Sequence, residues 1–183
     1  FQQSSFYIDH TNNTDILFDG LGFNNFFSSA IIADLNTGST LSVINSSFDT
    51  NTGSAVYVKG DGTGVLTVTN SDFTNNVDST PGAAIRVQNL ASASITGGST
   101  FTGNESTDDY GGAIYMIDPS GANSSLTISD STFTNNSSDE YGGAIFLEEV
   151  DLTVTGDSNF IGNSVLHSDY GGGAIFVRGS VTY

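Results

Sequence analysis

Two short phrases alternate along this chain, and their repetition limits the possible folds more than any other feature. Phe-x-x-Asn occurs five times, and each copy is followed by a glycine phrase that is clearest as Gly-Gly-Ala-Ile from Gly111, Gly142 and Gly172. An apolar tetrapeptide such as Leu-Thr-Val-Thr at 66–69 lies between each glycine phrase and the next Phe. Successive Phe residues of the repeat are 25, 28, 32 and 27 positions apart. Self-similarity at such a period indicates a repeat architecture.

The apolar runs of this repeat are short and have a period of two, which is typical of strands and not of helices. A single strand-turn-strand repeat cannot bury its own apolar face, whereas rungs stacked about 4.8 Å apart can enclose a narrow core. We therefore predict an all-β fold, a right-handed single-stranded parallel β-helix (β-solenoid) of about six rungs. Residues 1–183 are taken as a single β-helix domain, a segment of or a repeating unit in a longer solenoid or fibre.

The repeat places like residues in columns that run along the solenoid. Two of these columns are predicted to be internal, a Phe stack at one corner and a ladder of hydrogen-bonded Asn amides beside it. The Phe column is Phe48, Phe73, Phe101, Phe133 and Phe160, and the Asn column is Asn51, Asn76, Asn104, Asn136 and Asn163.

An aromatic stripe is predicted on the outer face of the glycine-phrase strands, because these positions alternate with the aliphatic ones. It consists of Tyr57, Arg86, Tyr115, Phe146 and Phe176, with Tyr110, Tyr141 and Tyr170 beside it. Exposed aromatic rings at rung spacing suit stacking on sugar rings or docking another protein. The alternative is that the loops, or the tyrosines that precede the glycines, fold over the stripe and bury it.

Alternating Phe-x-x-Asn and Gly-Gly-Ala-Ile phrases resemble the repeats of chlamydial polymorphic membrane proteins and related surface proteins. The resemblance covers nearly the whole chain, and it implies a β-helix of the kind exported in autotransporter passengers. It also implies an extracellular or cell-surface location, the role of an adhesin or structural filament, and a surface protein or glycan of a host or neighbouring cell as partner.

The charge balance narrows the range of partners. Twenty acidic residues face only three Lys and Arg, which gives a net charge of -17. Such a chain is unsuited to nucleic acid or to an anionic membrane surface. No apolar run approaches the roughly 18 residues that a spanning helix needs, so we expect no membrane insertion of this segment.

An acidic column at Asp109, Glu140 and Asp169 is the one weak candidate for a metal site, with calcium as the metal. Solvated charge is the favoured interpretation, so no cofactor is expected. Catalytic residues are not predicted either, since the acidic residues lie mostly in variable loops and His10 and His167 are isolated. A carbohydrate-active β-helix enzyme, a polysaccharide lyase or hydrolase, remains the alternative.

A third possibility is an ice-binding solenoid, because outward hydroxyl residues are predicted to form columns. One column is Ser42, Thr67, Ser94, Thr127 and Thr153. Threonine is also simply a good strand former on a solvated face.

Asn-x-Ser/Thr sequons suggest a glycoprotein if the source is eukaryotic. Asn12, Asn45 and Asn123 are predicted to lie in accessible turns or loops, whereas Asn104 and Asn136 belong to the internal ladder.

Joining the two ends of the sequence places Phe6 at the Phe corner, Asp9 at the Asn position, and Val181 and Tyr183 at inward strand positions. This phase match predicts continuation into further rungs, including head-to-tail self-association.

Overall fold

The computed structural model describes residues 5–121 and 124–179, except for the side chain of residue 10. These residues form 23 β-strands and no α-helix. Three residues named in the predictions lie outside the described residues: Asn123 of a sequon, and Val181 and Tyr183, for which inward strand positions were predicted.

Sheet 1 contains the glycine-phrase strands and is the longest sheet, with seven strands. Its strands, in spatial order, are β1 (Phe6–Asn12), β4 (Ile31–Asn36), β7 (Val56–Gly60), β11 (Ile85–Gln88), β15 (Ile114–Ile117), β19 (Ile145–Glu148) and β23 (Ile175–Arg178).

Sheet 2 contains the Leu-Thr-Val-Thr strands, one from each rung. They are β2 (Asp15–Asp19), β5 (Thr40–Ile44), β8 (Val65–Thr69), β12 (Ser92–Thr96), β16 (Ser124–Ser129) and β20 (Val150–Thr155).

Sheet 3 carries the Phe corner and sheet 4 is a short sheet beyond it. Sheet 3 consists of β3 (Gly22–Asn24), β6 (Ser47–Asp49), β9 (Asp72–Thr74), β13 (Thr100–Thr102), β17 (Thr132–Thr134) and β21 (Asn159–Ile161). Sheet 4 consists of β10 (Val77–Asp78), β14 (Glu105–Ser106), β18 (Ser137–Ser138) and β22 (Ser164–Val165).

Each rung contributes one strand to sheet 1, then one to sheet 2 and one to sheet 3, and strands of successive rungs pair in parallel. The chain is therefore an all-β solenoid of about six turns, which confirms the predicted fold class. The described part of the chain contains no helix of the length and apolar character needed to cross a membrane.

The Phe column forms a continuous internal stack. Neighbouring rings lie 4.6 to 4.8 Å apart and are parallel to within 6°. Phe23 extends the stack by one ring, since it pairs with Phe48 in sheet 3. The sequence-based Phe column did not include Phe23, because Phe26 occupies the position at which the other repeats have Asn. The backbone N–H of Phe26 donates to Asn51 Oδ1 at 2.9 Å.

Beside this stack the Asn side chains form a ladder along the axis. From Asn76 onwards each Oδ1 accepts two hydrogen bonds from the Asn one rung earlier, as Asn104 Oδ1 does from the backbone N and Nδ2 of Asn76 at 3.1 and 2.9 Å. Each Nδ2 also donates to the backbone carbonyl of a Phe, as Asn104 does to Phe73 at 3.0 Å. The buried amide groups thus satisfy one another from rung to rung.

Gly111 and Gly112 show why the repeat needs two glycines. Gly111 has φ +62°, a conformation that side chains disfavour. Gly112 has no such φ, but a Cβ there would lie 2.2 Å from the carbonyl oxygen of Ser137 and 2.4 Å from that of Gly143. The first glycine permits the turn, and the second permits close approach of the next rung.

The predicted position of Phe6 is wrong. Phe6 pairs with Ile31 in sheet 1, so it occupies the glycine-phrase column and not the Phe corner. Asp9 consequently does not lie at the Asn position. The phase match on which head-to-tail continuation was based is therefore absent.

Candidate functional site

The outer face of sheet 1 carries one column of side chains that runs along all seven strands. Strand register places the column as Tyr7, Ile32, Tyr57, Arg86, Tyr115, Phe146 and Phe176. This column is the predicted aromatic stripe with Tyr7 and Ile32 added. Sequence analysis missed these two because no glycine precedes β1 or β4.

Tyrosines cover the C-terminal half of the stripe. The ring of Tyr110 stacks on that of Phe146 with centroids 4.6 Å apart and a 17° angle, and the ring of Tyr141 lies 4.5 Å from that of Phe176. The prediction of an open binding surface is therefore wrong for Tyr115 and Phe146, which are 8% and 0% exposed. In this half of the stripe the alternative interpretation, burial under the tyrosines that precede the glycines, is correct.

A third ring adds to this cover. Tyr170 packs edge-on against Tyr141 at 4.9 Å, and it is itself at the surface. Tyr110 and Tyr141 are only partly buried, so the cover presents aromatic edges and hydroxyl groups to the solvent. Burial raises the pKa of the Tyr110 hydroxyl, and the neighbouring Glu140 raises it further.

Loop length explains why only half of the stripe is covered. The corner loop of each rung is defined here as the residues between the Asn-ladder position and the next sheet 1 strand. It has four residues in the first two rungs (27–30 and 52–55), but eight to eleven in the later ones (77–84, 105–113, 137–144 and 164–174). The longer loops form sheet 4, and three of them (105–113, 137–144 and 164–174) carry the tyrosines of the cover, whereas the short loops do not extend over the stripe.

The N-terminal half of the stripe is consequently open. Tyr7 is 62% exposed, while Ile32 and Tyr57 are partly buried. The Tyr57 hydroxyl donates to Gln88 Oε1 at 2.7 Å.

All three Lys and Arg residues of the chain lie on this outer face of sheet 1. Lys59 Nζ is 3.3 Å from Asp34 Oδ2, and Arg178 Nη2 is 2.7 Å from Glu148 Oε2. Arg86 differs from both, because no carboxylate lies within ion-pair distance of it in the described residues.

Arg86 is held instead by uncharged groups. Its guanidinium lies over the ring of Tyr57, 5.0 Å from the centroid, and Nη1 donates to the Thr80 hydroxyl at 3.2 Å. Nε is buried without a hydrogen-bond partner.

The acidic column does not bring its three carboxylates together in one cluster. Asp109 accepts a hydrogen bond from the backbone N–H of Tyr110 at 3.0 Å, and burial together with Glu140 raises the pKa of its carboxyl group. Asp169 is exposed in the last rung. Across residues 5–121 and 124–179, no group of three or more His, Cys, Asp or Glu side chains is placed to hold a metal ion, which removes the geometric basis for calcium at these positions.

The sequons differ in access. Asn12 and Asn45 are exposed, whereas Asn104 and Asn136 are fully buried in the ladder. Asn45 is engaged in an outer ladder, since its Nδ2 donates to Asp19 at 2.9 Å and its Oδ1 accepts from Asn70 at 2.7 Å. Glycosylation of Asn12 and Asn45 remains a prediction.

The hydroxyl columns of sheet 2 lie in register. Ser42 and Thr67 are hydrogen-bonded to each other at 2.9 Å, and Thr69 and Thr96 at 3.1 Å. Ice binding by this face remains a prediction.

These features define a β-solenoid repeat protein with internal Phe and Asn columns. The model of the Chlamydia polymorphic membrane protein repeat matches residues 98–116 and 130–148, and each match contains one Phe-x-x-Asn and the following glycine phrase. The resemblance drawn from the sequence is thereby confirmed for these two rungs. Comparison with curated proteins and with solved structures gives no significant match.

Proposed function

We propose that this chain is an extracellular β-helix segment of a cell-surface protein, and that it acts as a stiff rod presenting adhesive side chains and loops. The observation that carries the proposal is the combination of a polymorphic membrane protein-type repeat with unbroken internal stacks. The domain is taken as the single unit 1–183, continuing into further solenoid.

The internal columns support the rod. Stacked rings and paired amides link every rung to the next, so bending the rod would break contacts between buried groups. The outer face is free to vary, because outward residues take no part in these contacts. A surface protein or glycan of a host or neighbouring cell is the partner that such a display suits.

Surface location and adhesion can be tested together. Antibodies against the purified chain should label intact producing cells, and beads coated with the chain should adhere to target cells more than beads coated with the thermally unfolded chain. Treating the target cells with protease or with periodate separates protein from glycan receptors. Labelling that appears only after permeabilisation would contradict the location, and equal adhesion of both bead types would contradict the adhesive role.

Absence of enzymatic activity is part of the proposal. The matched repeat is one of a membrane protein family, and no step of catalysis is needed for a display rod. Release of reducing ends or unsaturated sugars from pectin-type polysaccharides by the purified chain would favour the alternative of a carbohydrate-active enzyme.

A further inference from the structure

We propose that the open part of the aromatic stripe, around Tyr57 and Arg86, binds a carboxylate-bearing sugar ring. This inference rests on the proposed adhesive function and specifies one ligand class for it.

The first argument is the charge of Arg86. In a chain with a net charge of -17, a guanidinium without an ion pair is unexpected. Arg178, on the same face, is a useful contrast because Glu148 neutralises it at 2.7 Å. Burial raises the pKa of the Asp109 carboxyl group and the charge of Arg86 only partly opposes that rise, and the two groups are not within ion-pair distance. Arg86 thus retains donors for an external carboxylate, which a guanidinium can bind with two parallel hydrogen bonds.

The second argument is that in later rungs the space over the aromatic stripe is filled by a tyrosine ring of the protein itself. Above Phe146 and Phe176 the stripe is covered by the phenol rings of Tyr110 and Tyr141, at 4.6 and 4.5 Å. A flat, hydroxyl-bearing six-membered ring therefore fits against this column. Each covering tyrosine comes from the corner loop one rung earlier, and for Arg86 that loop is 52–55, which is too short to supply such a ring, so the equivalent space stays open.

The third argument is the set of neighbouring groups. Tyr57 offers an aromatic edge and a hydroxyl bonded to Gln88, and Lys59 is 43% exposed beside them. Hydroxyl, amide and ammonium groups next to an aromatic ring are suited to the hydroxyls of a sugar, whereas an acidic peptide would find Arg86 unpaired but Lys59 already paired with Asp34 at 3.3 Å. Few polar groups on an aromatic surface are typical of small-ligand sites.

The test is calorimetric titration of the purified chain with oligogalacturonate, with its fully methyl-esterified form, and with an oligoglutamate peptide. The acid should bind, and the ester, which has the same rings without the charge, should bind at least about tenfold more weakly. Arg86→Gln should weaken binding of the acid by a similar factor. Arg178→Gln is the matched control and should change it by less than about twofold, because that cation is already paired.

Two further variants separate recognition from folding. Arg86→Lys keeps the charge but not the planar fork, so it should bind the acid more weakly than the parent chain. Tyr57→Ala should lower affinity for the sugar while leaving the thermal midpoint within a few degrees, since Tyr57 is not part of the core. Equal affinity for acid and ester, equal losses in Arg86→Gln and Arg178→Gln, or preferential binding of oligoglutamate would each overturn the inference. Bead adhesion that persists when oligogalacturonate fails to bind would leave the proposed function in place and remove only this ligand.

Discussion

Replacing Asn104 by Ala tests whether the amide ladder stabilises the rod. Asn104 is fully buried in a middle rung. Its Nδ2 donates to the Phe73 carbonyl and to Asn136 Oδ1, and its Oδ1 accepts from the backbone N and the Nδ2 of Asn76. The substitution removes all four hydrogen bonds and leaves two donors of Asn76 without an acceptor.

The expected cost follows from those two donors. A buried polar group that loses its partner costs about 1–3 kcal/mol, so the change should lower the free energy of unfolding by roughly 3–5 kcal/mol. That is a large part of the stability of a typical domain, about 5–15 kcal/mol. Because each rung contacts only its neighbours, the break should also decouple the two halves of the solenoid and lower the urea m-value.

Asn163→Ala is the matched control for this change. Asn163 makes three of the four bonds, two accepted from Asn136 and one donated to the Phe133 carbonyl, and it is only partly buried in the last rung. Water can therefore replace the lost side chain of Asn163, and Asn163→Ala should lower the free energy of unfolding by at least about 2 kcal/mol less than Asn104→Ala does. Urea unfolding followed by circular dichroism measures both. Equal costs for the two variants, or a cost below about 1 kcal/mol for Asn104→Ala, would refute the reasoning.

Three further substitutions test other parts of the fold. Phe133→Ala should cost about 3–5 kcal/mol in urea unfolding, because its ring is fully buried in the stack, and the partly exposed Phe160 should cost less when changed in the same way. Gly112→Ala should prevent folding or lower the thermal midpoint sharply, because the added Cβ would meet two carbonyl oxygens. Gly171→Ala is the control and should leave the midpoint nearly unchanged, because there is open space around Gly171. Similar midpoints for the two variants would contradict this account. Asp109→Asn should raise the free energy of unfolding at pH 7, because burial raises the pKa of the Asp109 carboxyl group and folding therefore disfavours its ionised form. This gain should vanish as the pH falls through the raised pKa towards 3.8, the ordinary value. A gain that does not depend on pH would show that ionisation of Asp109 is not its cause.

The interior was predictable because the same residues recur in it at every rung. Phe-x-x-Asn marked the corner wherever both residues were present, and alternation identified the strand faces. Phe23 was missed because the repeat was recognised by its Asn, and at that rung Phe26 keeps the backbone N–H donor to Asn51 Oδ1 but has no side-chain amide. A search for the Phe alone, one repeat length before Phe48, could have found it.

The outer face was less predictable, for a physical reason. Alternation shows that Tyr115 and Phe146 point away from the core, but it contains no information about what lies over them. Their cover comes from the corner loop of a different rung, as when Tyr110 stacks on Phe146. Phe6 was misplaced for a related reason, since a lone Phe near the end of a sequence has no neighbouring phrase that fixes its strand.

Loop length therefore controls exposure in this fold, while the core remains the same. Val56 and Ile145 occupy the same internal column, yet the stripe beside Val56 is open and the stripe beside Ile145 is buried. The covering loop lies one rung earlier: it is the four-residue loop 27–30 for Tyr57, beside Val56, and the nine-residue loop 105–113 with its Tyr110 for Phe146, beside Ile145. A solenoid of this kind can open or close a binding surface by changing a surface loop, without altering a contact between rungs. Arg86 lies where the short loops give way to the long ones: its guanidinium lies over the half-buried ring of Tyr57 and is bonded to Thr80, which belongs to the first long loop.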